Sequence, residues 1–185
     1  MNTRQLLTAL GFGLALAGTA SAAPYTRVLP ASAIDFSATQ MGVTMKGHFA
    51  KFNATVAFDP ANAASDKLSI DVNAASADAG SSQTSELVVG ADWLDAAHHP
   101  KAGFVASRFT AAGPGRWWVD GTFSVKGRSA PLRVLAIAHP SGADLALDAD
   151  FKLQRLQWAL GSGAWADTSV VGAEIPVHVH LLLAR

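Results

Sequence analysis

The chain contains no cysteine, which excludes disulfides, thiolate metal sites and a lipid-anchoring cysteine behind an export signal. Charge is scarce too. Asp, Glu, Lys and Arg make up 15% of the 185 residues, and 14 basic residues balance 14 acidic ones. Nucleic acid or an anionic membrane surface as main partner would call for a basic excess, and there is none. Long hydrophobic runs are confined to the beginning. Behind Arg4, the stretch from Leu6 to Ala17 carries no charge, and Ala20-Ser21-Ala22 has the small residues of a cleavage site. That run is shorter than the ~20 residues a spanning helix needs. Residues 1–22 therefore read as the signal peptide of an exported, periplasmic protein, and residues 23–185 as a single domain.

Signatures of catalysis are missing as well. Gly161-Ser162-Gly163 lacks the Gly-x-Ser-x-Gly spacing of a nucleophile elbow. There is no Gly-x-x-x-x-Gly-Lys-Ser/Thr loop, and no Gly-x-Gly-x-x-Gly between a strand and a helix. The two glutamates, Glu86 and Glu174, fall in separate elements, so a carboxylate pair would have to come from aspartates at turns or on polar strand faces. An enzyme is not expected.

What the chain does have is alternation. Ile34, Phe36 and Ala38 alternate with Asp35, Ser37 and Thr39, and Leu68, Ile70 and Val72 with polar partners. The same period of two runs through Trp117 to Val125, Leu145 to Leu153 and Ile175 to Leu181, which marks strands. Turn signals separate them at Asp59-Pro60, Gly113-Pro114-Gly115, Gly127 to Pro131 and His139 to Gly142. Short strands with regular turns predict an all-β sandwich or barrel. Closure of the last strand on the first would remove both open edges. Residues 83–98 differ. Ser81-Ser82 can cap a helix through Glu86, Leu87, Val88 and Val89 that ends near Gly90, and Asp92 a second turn through Trp93 and Leu94.

Nine Phe and five Trp suffice to line a cavity. Composition alone leaves that reading level with a solid aromatic core. His178 and His180, two apart on a strand, share a face and could supply two metal ligands, but a third is not evident. A polar, solvated face is the plainer account of that pair.

Several stretches taken in order resemble the YceI family of exported, lipocalin-like isoprenoid-binding proteins. They are Gln40-Met41-Gly42-Val43 with Lys46-Gly47-His48-Phe49, Phe52 with Val56 to Pro60, and Ala75 to Gly80. Further on come Ala91-Asp92-Trp93-Leu94-Asp95 with His99-Pro100 and Phe104, then Val119 to Phe123 with Gly127 and Pro131. Leu153 to Leu156 with Gly161 and Trp165 to Thr168 are similar to a branch associated with membrane di-haem b-type cytochromes. The resemblance implies an extended eight-stranded antiparallel lipocalin-like barrel with a short helical insertion. It also implies an apolar tunnel for an isoprenoid quinone, a polyprenyl lipid or a similar long-chain amphiphile, and no other cofactor. The chain departs from the family pattern at Gln40, at Lys126-Gly127 and in the weakly charged segment 85–89.

On this reading Phe36, Phe49, Phe58, Phe104 and Phe123 line the tunnel, with Met45 as an adaptable filler. Leu87, Trp93 and Leu94 lie near one mouth. Arg155 and Trp165 are candidates for the end that meets a head group or a partner, with ordinary surface and core positions as the alternative. Two other functions stay open: an accessory module for a membrane b-type cytochrome, and a metal-dependent enzyme using His178 and His180. A homodimer is compatible with any of them.

Overall fold

The computed structural model describes residues 23–62 and 66–185; the signal-peptide reading lies outside these. Among the described residues eleven strands and one α-helix follow one another. They are β1 (Arg27–Val28), β2 (Ala33–Gln40), β3 (Val43–Phe49), β4 (Phe52–Ala57), β5 (Lys67–Asn73), β6 (Ala77–Asp78), α1 (Ser82–Val89), β7 (Lys101–Gly113), β8 (Arg116–Val125), β9 (Arg128–Ser141), β10 (Asp144–Gln154) and β11 (Glu174–Ala184). All belong to one antiparallel sheet in the order β4-β5-β7-β8-β9-β10-β11-β2-β3-β6, with β1 also on β11.

The apparent ends of that order meet. β3 pairs with β2, and β4 pairs with β5, yet only residues 50 and 51 separate β3 from β4. β6 follows β5 across residues 74–76 and returns to β3. At this corner Ala50 N–H donates to Ser76 O (3.0 Å), and Asn73 N–H to Lys51 O (3.0 Å). β3–β4 and β5–β6 are thus two bent strands lying side by side. β1–β2 is a third, with β1 on β11 and Tyr25 bridging Phe58 just past β4. Counted this way the sheet is an eight-stranded barrel. Its last strand lies on its first, Val177 to His180 against Ala33 to Phe36.

Two expected turns are shorter than their sequence signals. β9 runs through both Pro131 and Pro140. Pro131 is paired only with β8 and Pro140 only with β10. Each proline sits where the strand has one neighbour, so its missing N–H costs no ladder bond. The turn before β9 contracts to Lys126-Gly127, with φ of 48° and 69°.

The helical insertion is shorter too. Ser81 caps α1, its Oγ accepting from Thr84 N–H (3.2 Å), and Gly90 ends it. Asp92 caps nothing. Its carbonyl accepts from Gly161 N–H (2.8 Å) and Ser162 N–H (2.9 Å), tying a run of turns to the loop that follows β10.

Glycine inside the strands has a packing cause. Phe36 lies over Gly47 and Phe104 over Gly121, each on the neighbouring strand. A methyl group at Gly121 would stand 2.5 Å from Val105 O, and one at Gly47 2.6 Å from Asp78 O, so backbone would have to move. Gly121→Ala is expected to lower stability by about 1–3 kcal/mol, the usual cost of overpacking. Urea unfolding checks this, and an unchanged midpoint would rule out the close approach.

Candidate functional site

The inward positions of the barrel are apolar on every strand, and they surround a cavity of about 200 Å³. Small side chains keep it open. Ala136, Ala149 and Val179 form one row across β9, β10 and β11, and Ala38 on β2 and Ala102 on β7 add to it. Larger residues at those places would fill the lumen, as in small solid barrels.

One end is shut. Phe58 is fully buried and packs on Trp117 (ring centroids 5.6 Å apart, nearly perpendicular) and on Phe109 (6.0 Å). Tyr25, buried beside it, closes the ladder across the same end. The other end carries α1, residues 90–100 and the loop 155–173. Trp93 and Trp165 meet there at 6.2 Å, and Phe123 meets Trp158 at 5.0 Å.

Of the eleven residues singled out from sequence, nine line the cavity: Phe36, Met45, Phe49, Leu87, Trp93, Leu94, Phe104, Phe123 and Trp165. Phe58 does not, because it belongs to the plug. Nor does Arg155, which is no mouth residue but the fully buried core of the cap. Its Nε donates to Gly172 O (2.9 Å), Nη1 to Leu160 O (3.2 Å) and Gly161 O (2.9 Å), and Nη2 to Val171 O (2.8 Å). Its guanidinium also lies 5.8 Å over the Trp93 ring. Burial pulls its pKa down and Asp167 opposes that, but a guanidinium stays charged. Every strong donor is spent on loop carbonyls, leaving none for a guest.

Lys126 makes a second clasp. Its Nζ donates to Ala91 O (2.8 Å) and Ala159 O (2.8 Å), joining the two cap segments. Burial lowers its pKa, and Asp95 and Asp92 partly offset this.

Sequence reasoning favoured aromatics and passed over much of the wall. Ile34, Ile70, Val134, Leu147, Leu153 and Val177 also line the cavity. Their signal was the alternation itself, which sets Ile34, Ile70, Leu147, Leu153 and Val177 on the apolar side of their strands. Polar lining is confined to Gln40, Lys46 and Thr84. Lys46 reaches the cavity edge from the outer face, for it lies opposite Ser37, whose neighbours Phe36 and Ala38 face inward. Gln40 and Thr84, together with Met45 and Leu87, mark the mouth between the β2–β3 hairpin and α1.

His178 and His180 do share a face, but on the outside. His178 Nδ1 lies 2.8 Å from Asp150 Oδ1, and His180 Nδ1 lies 2.6 Å from Asp148 Oδ1. Asp148 is shared, for His178 Nε2 also lies 3.9 Å from its Oδ1 and His139 Nδ1 3.5 Å from its Oδ2. Among the described residues no set of three His, Asp or Glu side chains is arranged to hold a metal ion.

A YceI-like domain matches residues 25–183. The chain belongs to the YceI-like family. Its relatives include a UPF0312 protein of Shewanella denitrificans, 29% identical over 148 residues and covering 78% of this chain and 77% of that protein. The crystal structure of Burkholderia cenocepacia BcnA superposes with a TM-score of 0.80 at 34% identity, covering 83% of this chain and 96% of the other. A domain from Saccharophagus degradans, described as polyisoprenoid-binding and implicated in plant cell wall breakdown, shares the fold (TM-score 0.67, 14% identity, 87% and 97% covered). In this YceI-like chain the family's Lys-Gly-x-Phe motif is the Gly47 on which Phe36 rests.

Arg155→Met is expected to cost about 3–5 kcal/mol, because several loop carbonyls lose their donor together. A mouth residue would cost under about 0.5 kcal/mol at an exposed site. Denaturant unfolding of the variant separates the two.

Proposed function

We propose that this protein binds and carries a long apolar amphiphile of the isoprenoid class, without catalysis. The observation that carries the reading is the lumen. It is apolar throughout, plugged at one end by Phe58, and polar only at its mouth. Such a shape suits a molecule with one oily end and one polar end. Each methylene moved from water into this wall gains about 0.8 kcal/mol, so a tail of many carbons can be held with no covalent chemistry. Association and ordering costs take back part of that sum.

Gln40 and Thr84 are the groups placed to meet a polar head, and the tail would run past Met45, Phe36, Phe49 and Phe104 towards the plug. The polyisoprenoid-binding description of the Saccharophagus degradans domain, which shares the fold, supports the ligand class. A quinone as the particular guest and a periplasmic location are finer parts of the same proposal, and an accessory module for a membrane b-type cytochrome is the alternative to it. No helix among the described residues is long and apolar enough to cross a membrane.

Ala149→Trp tests the lumen directly. The new indole would project from the middle of the small-residue row into the open space. Protein purified from its native host and extracted with organic solvent should yield a stoichiometric long-chain lipid by mass spectrometry. The Ala149→Trp variant should yield less than about a tenth of it while still unfolding cooperatively. Wild-type extracts without such a lipid would falsify the proposal.

A further inference from the structure

The mouth of the cavity has an exposed apolar rim. At the tip of the β2–β3 hairpin Met41 is 78% exposed and Val43 61%, and Leu87 of α1 is 38% exposed across the opening. The tip turns tightly, with φ of 47° at Met41 and 81° at Gly42, which thrusts the methionine outward. Met41 and Val43 do not line the cavity, although Gln40 and Met45 on either side of them do.

The rim also carries little charge. Between Asp35 and Lys46 the hairpin carries no ionisable side chain. Residues 168–173, Thr-Ser-Val-Val-Gly-Ala, have none either. They are held on the hairpin by Met41 N–H to Val170 O (2.8 Å) and Gly172 N–H to Thr39 O (2.8 Å). In α1 the single charge is Glu86. An exposed apolar, charge-poor surface continuous with a cavity mouth asks for a partner of matching chemistry.

We propose that this rim docks on a lipid bilayer with a zwitterionic surface, so that the guest passes between membrane and lumen without crossing water. The inference rests on the carrier reading above, because a guest insoluble in water must be collected from a lipid phase. Shallow burial suffices. Met41 and Val43 would enter the interface while water and head groups satisfy the open edge of β3, whose residues 43–47 pair only with β2. No charge on the hairpin tip would lose its hydration, and the next one, Lys46, is a cation with a long stem that can reach back to water.

The test is flotation of the purified protein with phosphatidylcholine vesicles, comparing wild type with the double variant Met41→Asp/Val43→Asp. Aspartate tolerates the left-handed backbone at position 41, and neither side chain touches the lumen. Unfolding midpoint and extracted lipid are therefore expected to stay the same, while the vesicle-bound fraction falls at least about tenfold. Wild type that stays with the aqueous layer, or a variant that floats equally well, overturns the docking surface. Vesicle-free self-association lost in the variant, seen by analytical ultracentrifugation without flotation of the wild type, also overturns it and gives the rim to a second copy of the chain. Failed flotation with stoichiometric lipid in the extract removes the docking surface and leaves the carrier reading standing. Empty extracts from a protein that floats remove the carrier reading instead.

Discussion

Closure of one antiparallel sheet on itself is the constraint from which the rest of the molecule follows. Once the bent strands β1–β2, β3–β4 and β5–β6 complete the circle, every second side chain is committed to one shared interior. What that interior becomes is then a matter of side-chain size. Where Phe58, Phe109 and Trp117 converge it is solid. Where Ala136, Ala149 and Val179 stand in a row it is empty. The same alternation thus builds both the plug that gives stability and the lumen that forgoes it. Empty apolar space is costly to maintain, because its lining lacks packing partners. Its persistence here, along most of a barrel, is the physical reason to look for a guest.

The open end is kept by polar chemistry of an unusual kind. Arg155 hydrogen-bonds to no carboxylate, although Asp167 lies near enough to favour its charge. Its charge is neutralised in effect by the carbonyl dipoles of residues 160, 161, 171 and 172. Breaking such an arrangement from one side strands several acceptors at once, so the loop behaves as a unit and holds Trp165 and Leu160 against the cavity. Lys126 does the same between Ala91 and Ala159 at lower cost, being nearer to water. The cap is therefore rigid where it rests on these two cations. It is loose at α1, which buries no residue fully.

Much of the architecture was legible in the sequence because strands advertise themselves by alternation. Ile34 to Ala38, Leu68 to Val72 and Leu145 to Leu153 could be read correctly one at a time. The capping serine at position 81 announced α1. Prolines misled at β9, where the usual rule that proline ends a strand yields to the fact that Pro131 and Pro140 each have one unpaired side. Asp92 misled in a similar way, since a residue that can cap a helix can equally lend its carbonyl to a distant loop. Aromatic residues were easy to nominate for the cavity, but alternation cannot say how far along the barrel axis a side chain lies. Phe36 and Phe58 therefore looked alike in sequence, although one faces the lumen and the other seals it. Arg155 was the clearest miss. An arginine among turn-forming residues reads as exposed, and nothing local shows that the carbonyls of four loop residues will wrap around it.

The departures of this chain from the family pattern divide along the same lines. Lys126 departs from the pattern the resemblance implies, yet its ammonium is occupied by two carbonyls of the cap, so this change concerns how the lid is fastened. Gln40 and the weakly charged segment 85–89 are different. Gln40, Leu87 and Val88 all reach the cavity wall, and two of the three are apolar. A less charged mouth offers less to an ionic head group and more to a lipid surface, since an unpaired charge there would have to shed water on contact. On the proposals made above, a polar head would be met at Gln40 and Thr84 and a lipid surface at Met41 and Val43, so neighbouring but separate side chains would set selectivity for the guest and attraction to its source.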